Sequence, residues 1–205
     1  MTAKFQFILL IIMGLLISCE DQNRQLPVLG NKEVANNGKD TIYHTIPYFS
    51  FMDQDSIIVT PKTFENKIYV ADFFFTSCTT ICPIMKTEMK RVYDKFKGNE
   101  KVLFLSHTID PGHDSIPVLN SYAKDIGVDN TQWHFVTGDG EKIFDLAEKH
   151  YMVSAQEDAS APGGAIHSGA FILLDQKRRI RGYYDGTNKQ DVNKLINDIP
   201  ILLKE

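Results

Sequence analysis

The sequence has few cysteines, no nucleotide-binding glycine motif and no concentrated block of basic residues. Its 205 residues include only three cysteines, Cys19, Cys78 and Cys82, which is too few for a disulfide-stapled scaffold. Neither a GxGxxG nor a GxxxxGK[ST] loop occurs, so the nucleotide-binding versions of an α/β fold have no support. The net charge of −4 argues against a nucleic-acid partner, because such partners require clustered Lys and Arg.

The first residues have the layout of an export signal. Lys4 supplies a short positive region. Residues 5–17 form an apolar run that is too short and too interrupted for a membrane span, and it is typical of the apolar region of a signal peptide. The run ends in Leu16-Ile17-Ser18-Cys19, which resembles the lipobox of bacterial lipoproteins. That resemblance implies cleavage before Cys19 and lipidation of this cysteine. We therefore expect a lipoprotein of the bacterial cell envelope with its domain on the extracytoplasmic side; an ordinary secretory signal or an N-terminal membrane helix is the alternative.

Composition predicts one folded domain behind this signal. A chain with 43% hydrophobic and 11% aromatic residues can bury one good core. Residues 20–43 are polar and lack an apolar period, so they predict a flexible tether, and about 24 flexible residues have a root-mean-square reach of roughly 25–30 Å. The predicted organisation is a lipoprotein signal peptide at 1–18, a flexible tether at 19–43 and one folded domain at 44–205.

Alternating strand and helix patterns predict an α/β fold. Two short apolar runs around residues 53–55 predict an N-terminal hairpin, and residues 154–164 are a loop by composition. Pro200 should kink or end the last helix. The core strands are predicted at 68–75, 102–108, 133–137, 170–174 and 180–184, and the helices at 83–96, 116–126, 143–151 and 189–203. With a cysteine motif at the first core strand–helix junction, this order predicts a thioredoxin-like fold, a central mixed sheet with helices on both faces and an N-terminal β-hairpin extension.

Cys78 and Cys82 lie at that junction. The apolar run before them stops at Thr76-Ser77, and Pro83 is tolerated in the first turn of the helix that follows. Thr79 or Thr80 could cap this helix, and a helix N-terminus should lower the pKa of a cysteine placed there. Two neighbouring thiols of this kind are either a redox pair or two soft metal ligands.

Among the six histidines, His167 has the most informative position. It follows the glycine-containing loop and directly precedes the strand at 170–174, whose start lies beside the cysteine loop in thioredoxin-like folds. A surface histidine is the alternative interpretation. Asp110, just past a core strand, could either cap a turn or orient a ligand. For the remaining histidines we expect packing or hydrogen bonding in the strands (His107, His134) and solvation elsewhere (His44, His113, His150).

Two thiolates and one imidazole would form a soft ligand set. Such a set selects Cu(I), zinc or iron–sulfur clusters, and imidazole extends the range to Cu(II). A structural zinc site needs four closed ligands, and the domain has no third cysteine, so zinc is disfavoured. A three-coordinate site with an open edge suits copper that has to be transferred. Disulfide oxidoreductases typically use Cys-x-x-Cys, whereas this loop is one residue longer.

From about Leu26 onward, the chain resembles the Sco/SenC family of copper chaperones. The family's Cys-x-x-x-Cys-Pro motif matches residues 78–83, and its downstream histidine matches His167-Ser168-Gly169. Its Ser-x-Asp-Pro and Trp-x-x-x-x-Gly segments match residues 108–111 and 133–138. One departure is that the family's Asp-Pro-Glu-Arg-Asp reads Asp110-Pro111-Gly112-His113-Asp114 here.

The resemblance implies that Cys78, Cys82 and His167 bind one copper ion, as Cu(I), Cu(II) or both. It also implies a metallochaperone that helps to assemble the binuclear copper site of cytochrome c oxidase. The implied partners are the copper-site subunit of the oxidase, other copper chaperones or thiol reductants, and the membrane. Two alternatives stay open, a thiol–disulfide oxidoreductase that reduces the oxidase cysteines and a peroxiredoxin-like peroxidase or redox sensor.

Overall fold

The structure is a computed structural model, and it describes residues 24–35, 38–157 and 165–205. The side chains of residues 156, 157 and 165–167 are outside that description. The expected signal peptide and Cys19 therefore lie outside the described residues. Within the described residues, no helix is both long and apolar enough to cross a membrane.

One mixed sheet forms the centre of the domain. The described strands are β1 Lys32–Val34, β2 Thr41–Tyr43, β3 Phe51–Asp53, β4 Ile58–Val59, β5 Ile68–Phe74, β6 Val102–Thr108, β7 Trp133–Thr137, β8 Ala155–Glu157, β9 Ala165–His167, β10 Ala170–Leu174 and β11 Ile180–Asp185. Seven of them pair in the order β11-β10-β5-β6-β7-β3-β4. Strands β5, β6 and β7 are parallel, whereas β10 and β3 run antiparallel to their neighbours in this group. All residues of β5 and β6 are buried, as expected for strands covered on both faces.

Helices cover both faces of this sheet, which confirms the predicted fold class. They are α1 Cys82–Phe96, α2 Ile116–Ile126, α3 Gly140–Asp145 and α4 Lys189–Lys204. Consecutive strand residues point to opposite faces. Phe74 accordingly stacks on Tyr122 of α2, whereas Phe73 contacts Tyr151 on the other side.

Two helices differ from the sequence-based expectation. The third helix begins at Gly140, earlier than predicted, because the Asp139 side chain caps it. It then continues as a π-helix over Leu146–Tyr151. The last helix, predicted at 189–203, continues past Pro200 to Lys204, so Pro200 does not end it, and the kink expected there stays a prediction.

The expected hairpin and the expected loop both carry additional pairing. Strands β3 and β4 form the predicted hairpin, and β3 also pairs with β7, so this extension joins the main sheet. In the segment expected to be a loop, β8 pairs with β9, with Ala155 opposite His167.

The described residues before residue 44 make contacts with each other and with the domain. Strands β1 and β2 pair with each other, and the Leu26 side chain is buried. The Arg181 guanidinium donates to the carbonyl groups of Leu26 and Pro27 at 2.6 and 3.0 Å. The side chain of Arg181 is only 3% exposed, and a buried cation requires such acceptors. This contact spans more than 150 positions, so local composition did not reveal it.

Candidate metal centre

The cysteine loop connects the buried strand β5 to helix α1. Apolar side chains keep β5 in the core, and the chain turns at Thr76-Ser77, where the Cys78 backbone N–H donates to the Phe75 carbonyl at 3.3 Å. Helix α1 starts at Cys82, with Pro83 in its first turn. The first thiol therefore lies in the loop and the second at the helix start, as the sequence predicts.

Neither Cys78 nor Cys82 forms a disulfide, and both side chains are largely buried, with Cys78 8% and Cys82 4% exposed. The predicted threonine cap is wrong, because Ile81 occupies the cap position and makes no side-chain cap bond. Instead, the Thr80 hydroxyl lies 3.5 Å from the Cys78 sulfur. Thr80 thus supports the sulfur rather than the helix end.

The two thiols differ in acidity. Burial alone would raise the pKa of Cys78, but hydrogen bonds from Cys82 and Thr80 outweigh it and hold the pKa below its ordinary value. The pKa of Cys82 is raised well above its ordinary value, by burial first and then by its bond to Cys78 and the charges of Cys78 and Asp72. The expected helix-terminal lowering therefore does not prevail at Cys82. Cys78 is the thiol that ionises first, and Cys82 is its hydrogen-bond donor.

Asp72 is a buried acid below the cysteine pair that sequence reasoning did not single out. It lines the same small internal cavity as Cys82, Met85 and Tyr122. Its carboxyl accepts a 2.5 Å hydrogen bond from the Ser106 hydroxyl, which in turn accepts from the Trp133 ring N–H at 2.9 Å. Burial raises the pKa of Asp72 to about 7, although the Ser106 bond opposes the rise. In the sequence, Asp72 is recognisable as the one charged residue of the otherwise apolar strand β5.

A second acid, Asp114, organises the loop edge. It is fully buried and accepts from the Thr76 backbone N–H at 3.0 Å and from the Thr108 hydroxyl at 2.5 Å. The Thr76 hydroxyl donates to it as well. Asp114 therefore ties the cysteine loop to the end of β6.

Asp110 lies in the turn at the same edge of the sheet. Its backbone N–H donates to the Thr108 hydroxyl, and its carboxylate accepts from the His113 backbone N–H at 3.3 Å. Of the two roles expected for Asp110, these bonds correspond to the turn cap. The ligand-orienting role remains a prediction.

The backbone around His167 comes close to the cysteine loop. Strand β9 ends at His167, and the Ser168 N–H donates to the Ser154 carbonyl at 2.8 Å. Two residues beyond His167, a Cβ atom added to Gly169 would lie 3.8 Å from the Ile81 side chain, and Ile81 directly precedes Cys82. The His167 side chain itself lies outside the described residues. Among the described side chains, no group of three His, Cys, Asp or Glu could hold a metal ion.

The other histidines mostly behave as expected. His107 is fully buried among aromatic rings, and burial lowers its pKa to about 3. His134 is hydrogen-bonded to Asp53 at 3.0 Å. Solvation was the wrong expectation for His44, whose Nε2–H donates to the His150 carbonyl at 2.8 Å. His113 is exposed but bonded to Asp114.

Fold and site together define a class of protein. A thioredoxin-like domain with a buried, reduced cysteine pair at the first strand–helix junction is built for thiol or soft-metal chemistry. The SCO1/SenC family model matches residues 37–203, which is most of the chain. The protein belongs to the SCO1/SenC family.

Known relatives agree with this assignment. A SCO1 protein homolog of Bacillus subtilis is 27% identical over 163 residues, covering 78% of this chain and 84% of the relative. A SCO1/SenC family lipoprotein from Bacillus anthracis matches with a TM-score of 0.72 at 27% identity, covering 78% of this chain and 95% of that structure.

Two further structures share the fold. BsSco, described as a Sco family cytochrome c oxidase assembly protein with a disulfide switch, matches with a TM-score of 0.65 at 26% identity, covering 78% of this chain and 96% of BsSco. Yeast Sco1 with copper bound shares the fold, with a TM-score of 0.61 at 24% identity, covering 77% of this chain and 89% of yeast Sco1.

Proposed function

We propose that this protein is a membrane-anchored, extracytoplasmic copper chaperone. It binds one copper ion through Cys78, Cys82 and His167 and delivers it to the copper-site subunit of cytochrome c oxidase. The observation that carries the proposal is the buried, reduced cysteine pair with the chain after His167 packed beside it. Family membership supports it, as does the oxidase-assembly role described for BsSco.

The unequal thiols suit stepwise copper capture. Cys78, with the lower pKa, offers a thiolate first, and its sulfur is held by Thr80. Copper binding then displaces the proton of Cys82. The positive charge of the metal favours this loss, since a thiol that coordinates a metal is deprotonated outright. His167 completes the soft ligand set. A three-ligand site leaves an open edge at which an acceptor's ligands can attack.

Copper binding by the purified, reduced protein tests this proposal. We expect one copper per chain, a copper–thiolate absorption band, and loss of the band in Cys78→Ser. His167→Ala should weaken binding by at least tenfold, whereas His44→Ala, which removes a histidine from the N-terminal segment, should leave the affinity unchanged. Equal, weak binding by the wild type, His167→Ala and Cys78→Ser would refute the proposal.

The anchor is proposed to be a lipid on Cys19. A family lipoprotein from Bacillus anthracis supports this. Only four residues separate Cys19 from Arg24, which forms an ion pair with Asp198 at 3.0 Å. Even fully extended, the five steps from Cys19 to Arg24 span at most about 18 Å, less than the reach expected for a longer tether. Cys19→Ser should move the protein out of the membrane fraction, and its retention there would contradict a lipid anchor.

A thiol–disulfide oxidoreductase is the second candidate. The lowered pKa of Cys78 favours it, because the thiolate is the attacking species in exchange, and BsSco has a disulfide switch. Reduction of an oxidised peptide carrying two cysteines would distinguish the candidates. Activity that survives in His167→Ala and is lost in Cys78→Ser would favour the oxidoreductase over the chaperone.

A further inference from the structure

His113 has the geometry of a prepared metal ligand outside the cysteine pair. Its side chain is 55% exposed, and its Nδ1 lies 3.0 Å from a carboxylate oxygen of Asp114. A carboxylate only accepts hydrogen bonds, so Nδ1 carries the hydrogen in the neutral ring. The Nε2 lone pair is then available, and within the described part of the chain it has no hydrogen-bond partner. Metal-binding histidines typically show this arrangement, with one ring nitrogen bonded to a carboxylate and the other on the metal.

The carboxylate that orients His113 is itself rigidly held. Asp114 is fully buried and has donors from Thr76 and Thr108 in addition to the imidazole. Such outer partners set the ring orientation and the basicity of a ligating imidazole. The buried carboxylate that ties the cysteine loop to β6 thus also holds the His113 ring in one orientation.

His113 also lies next to the loop that carries Cys78. Its Nδ1 is 3.4 Å from the Thr76 hydroxyl, and Thr76 is two residues before Cys78. From this contact and the length of two residues, Nδ1 and the Cys78 sulfur are at most roughly 16 Å apart. Asp110, in the same turn, accepts a hydrogen bond from the His113 backbone N–H at 3.3 Å. The imidazole therefore contacts the loop segment that leads to Cys78.

We propose that His113 is an entry ligand for copper. This inference rests on the proposed copper-binding function and adds a first point of capture to it. Copper binds the exposed Nε2 of His113 and then passes to Cys78. In that step the Nε2–copper bond breaks as the sulfur–copper bond forms, a thiol that is protonated releases its proton to solvent, and the copper keeps its oxidation state.

The rate of copper uptake measures this role. The reduced full-length protein is mixed without oxygen with Cu(I) supplied as its acetonitrile complex, and the copper–thiolate band is followed in a stopped-flow instrument. His113→Gln retains a donor for Asp114 but removes the imidazole. It should slow uptake about tenfold while leaving the final band and the copper stoichiometry unchanged. His44→Gln is the matched control and should bind at the wild-type rate.

Ring resonances give a second readout that does not depend on the cysteines. In the Cys78→Ser/Cys82→Ser variant, Cu(I) should shift the ring resonances of His113 at lower copper concentrations than those of His44 and His150. Wild-type uptake by His113→Gln, together with an unshifted His113 ring, would overturn the entry role and leave the cysteine site standing. If the wild type shows no copper–thiolate band, the proposed function fails, and the His113 ring shift then decides by itself whether this residue binds copper.

Discussion

Replacing Asp72 by Asn should stabilise the protein at alkaline pH. The Asp72 carboxyl is 5% exposed and accepts a hydrogen bond from Ser106. Asn keeps the shape of the side chain and an oxygen that can accept this bond. It removes only the negative charge that burial disfavours.

The magnitude follows from the pKa shift. Burial raises the pKa of Asp72 from 3.8 to about 7, and each unit corresponds to about 1.4 kcal/mol. Because the folded pKa is raised, the protonated carboxyl stabilises the fold fully below pH 3.8, and this contribution is lost as the pH rises through about 7. By pH 8 the wild type should have lost roughly 4 kcal/mol that the Asn variant retains.

Urea unfolding under reducing conditions at several pH values from 4 to 8 measures this difference, with the buried Trp133 as the fluorescent probe. Comparing the variant with the wild type cancels the contributions of other titrating groups. Asp94→Asn, on the exposed surface beside Lys90, is the matched control, because it removes a carboxylate that is not buried. An Asp72→Asn effect that is independent of pH would refute the reasoning.

Three further outcomes are expected. Iodoacetamide should alkylate Cys78 well before Cys82 at neutral pH, because hydrogen bonds lower the pKa of Cys78 whereas burial raises the pKa of Cys82. Peptide mapping measures the order of modification, and finding Cys82 modified first would contradict this. Arg181→Leu should lower the free energy of unfolding in urea by about 3–5 kcal/mol, since it leaves buried acceptors unpaired. It should also speed proteolysis near Leu26, and a variant as stable as the wild type would contradict this. His107→Phe should resist acid unfolding better than the wild type. Burial lowers the pKa of His107 from 6.5 to about 3, so the wild type loses stability as the pH falls from 6.5 towards 3. Equal unfolding midpoints in an acid titration followed by circular dichroism would contradict this.

Local patterns predicted the elements that local interactions determine. The apolar run of β5 and the helical spacing after Pro83 identified the strand–helix junction, and the cysteine spacing placed both thiols there. Helix α2 was predicted with its observed bounds, Ile116–Ile126. These features depend on neighbouring residues, whose periodicity is visible in the sequence.

Long-range contacts account for what was missed. The raised pKa of Asp72 depends on its burial near Ser106 and Trp133, which are distant in the sequence. Asp114 acquires its role only when β5 and β6 align side by side and bring Thr76 to it. Residues 20–43 were predicted to be a tether because as a whole they are polar and lack an apolar period, whereas Arg181, which contacts Leu26, lies near the other end of the chain.

The identity of the copper ligands is the central claim, and X-ray absorption on the reduced, copper-loaded protein tests it most directly. The spectrum should require two sulfur ligands and one imidazole nitrogen for a single copper per chain. His167→Ala should lose the imidazole contribution while retaining both sulfurs, and Cys78→Ser should lose a sulfur. A wild-type spectrum without sulfur ligands, or one that is unchanged by both substitutions, would contradict the account.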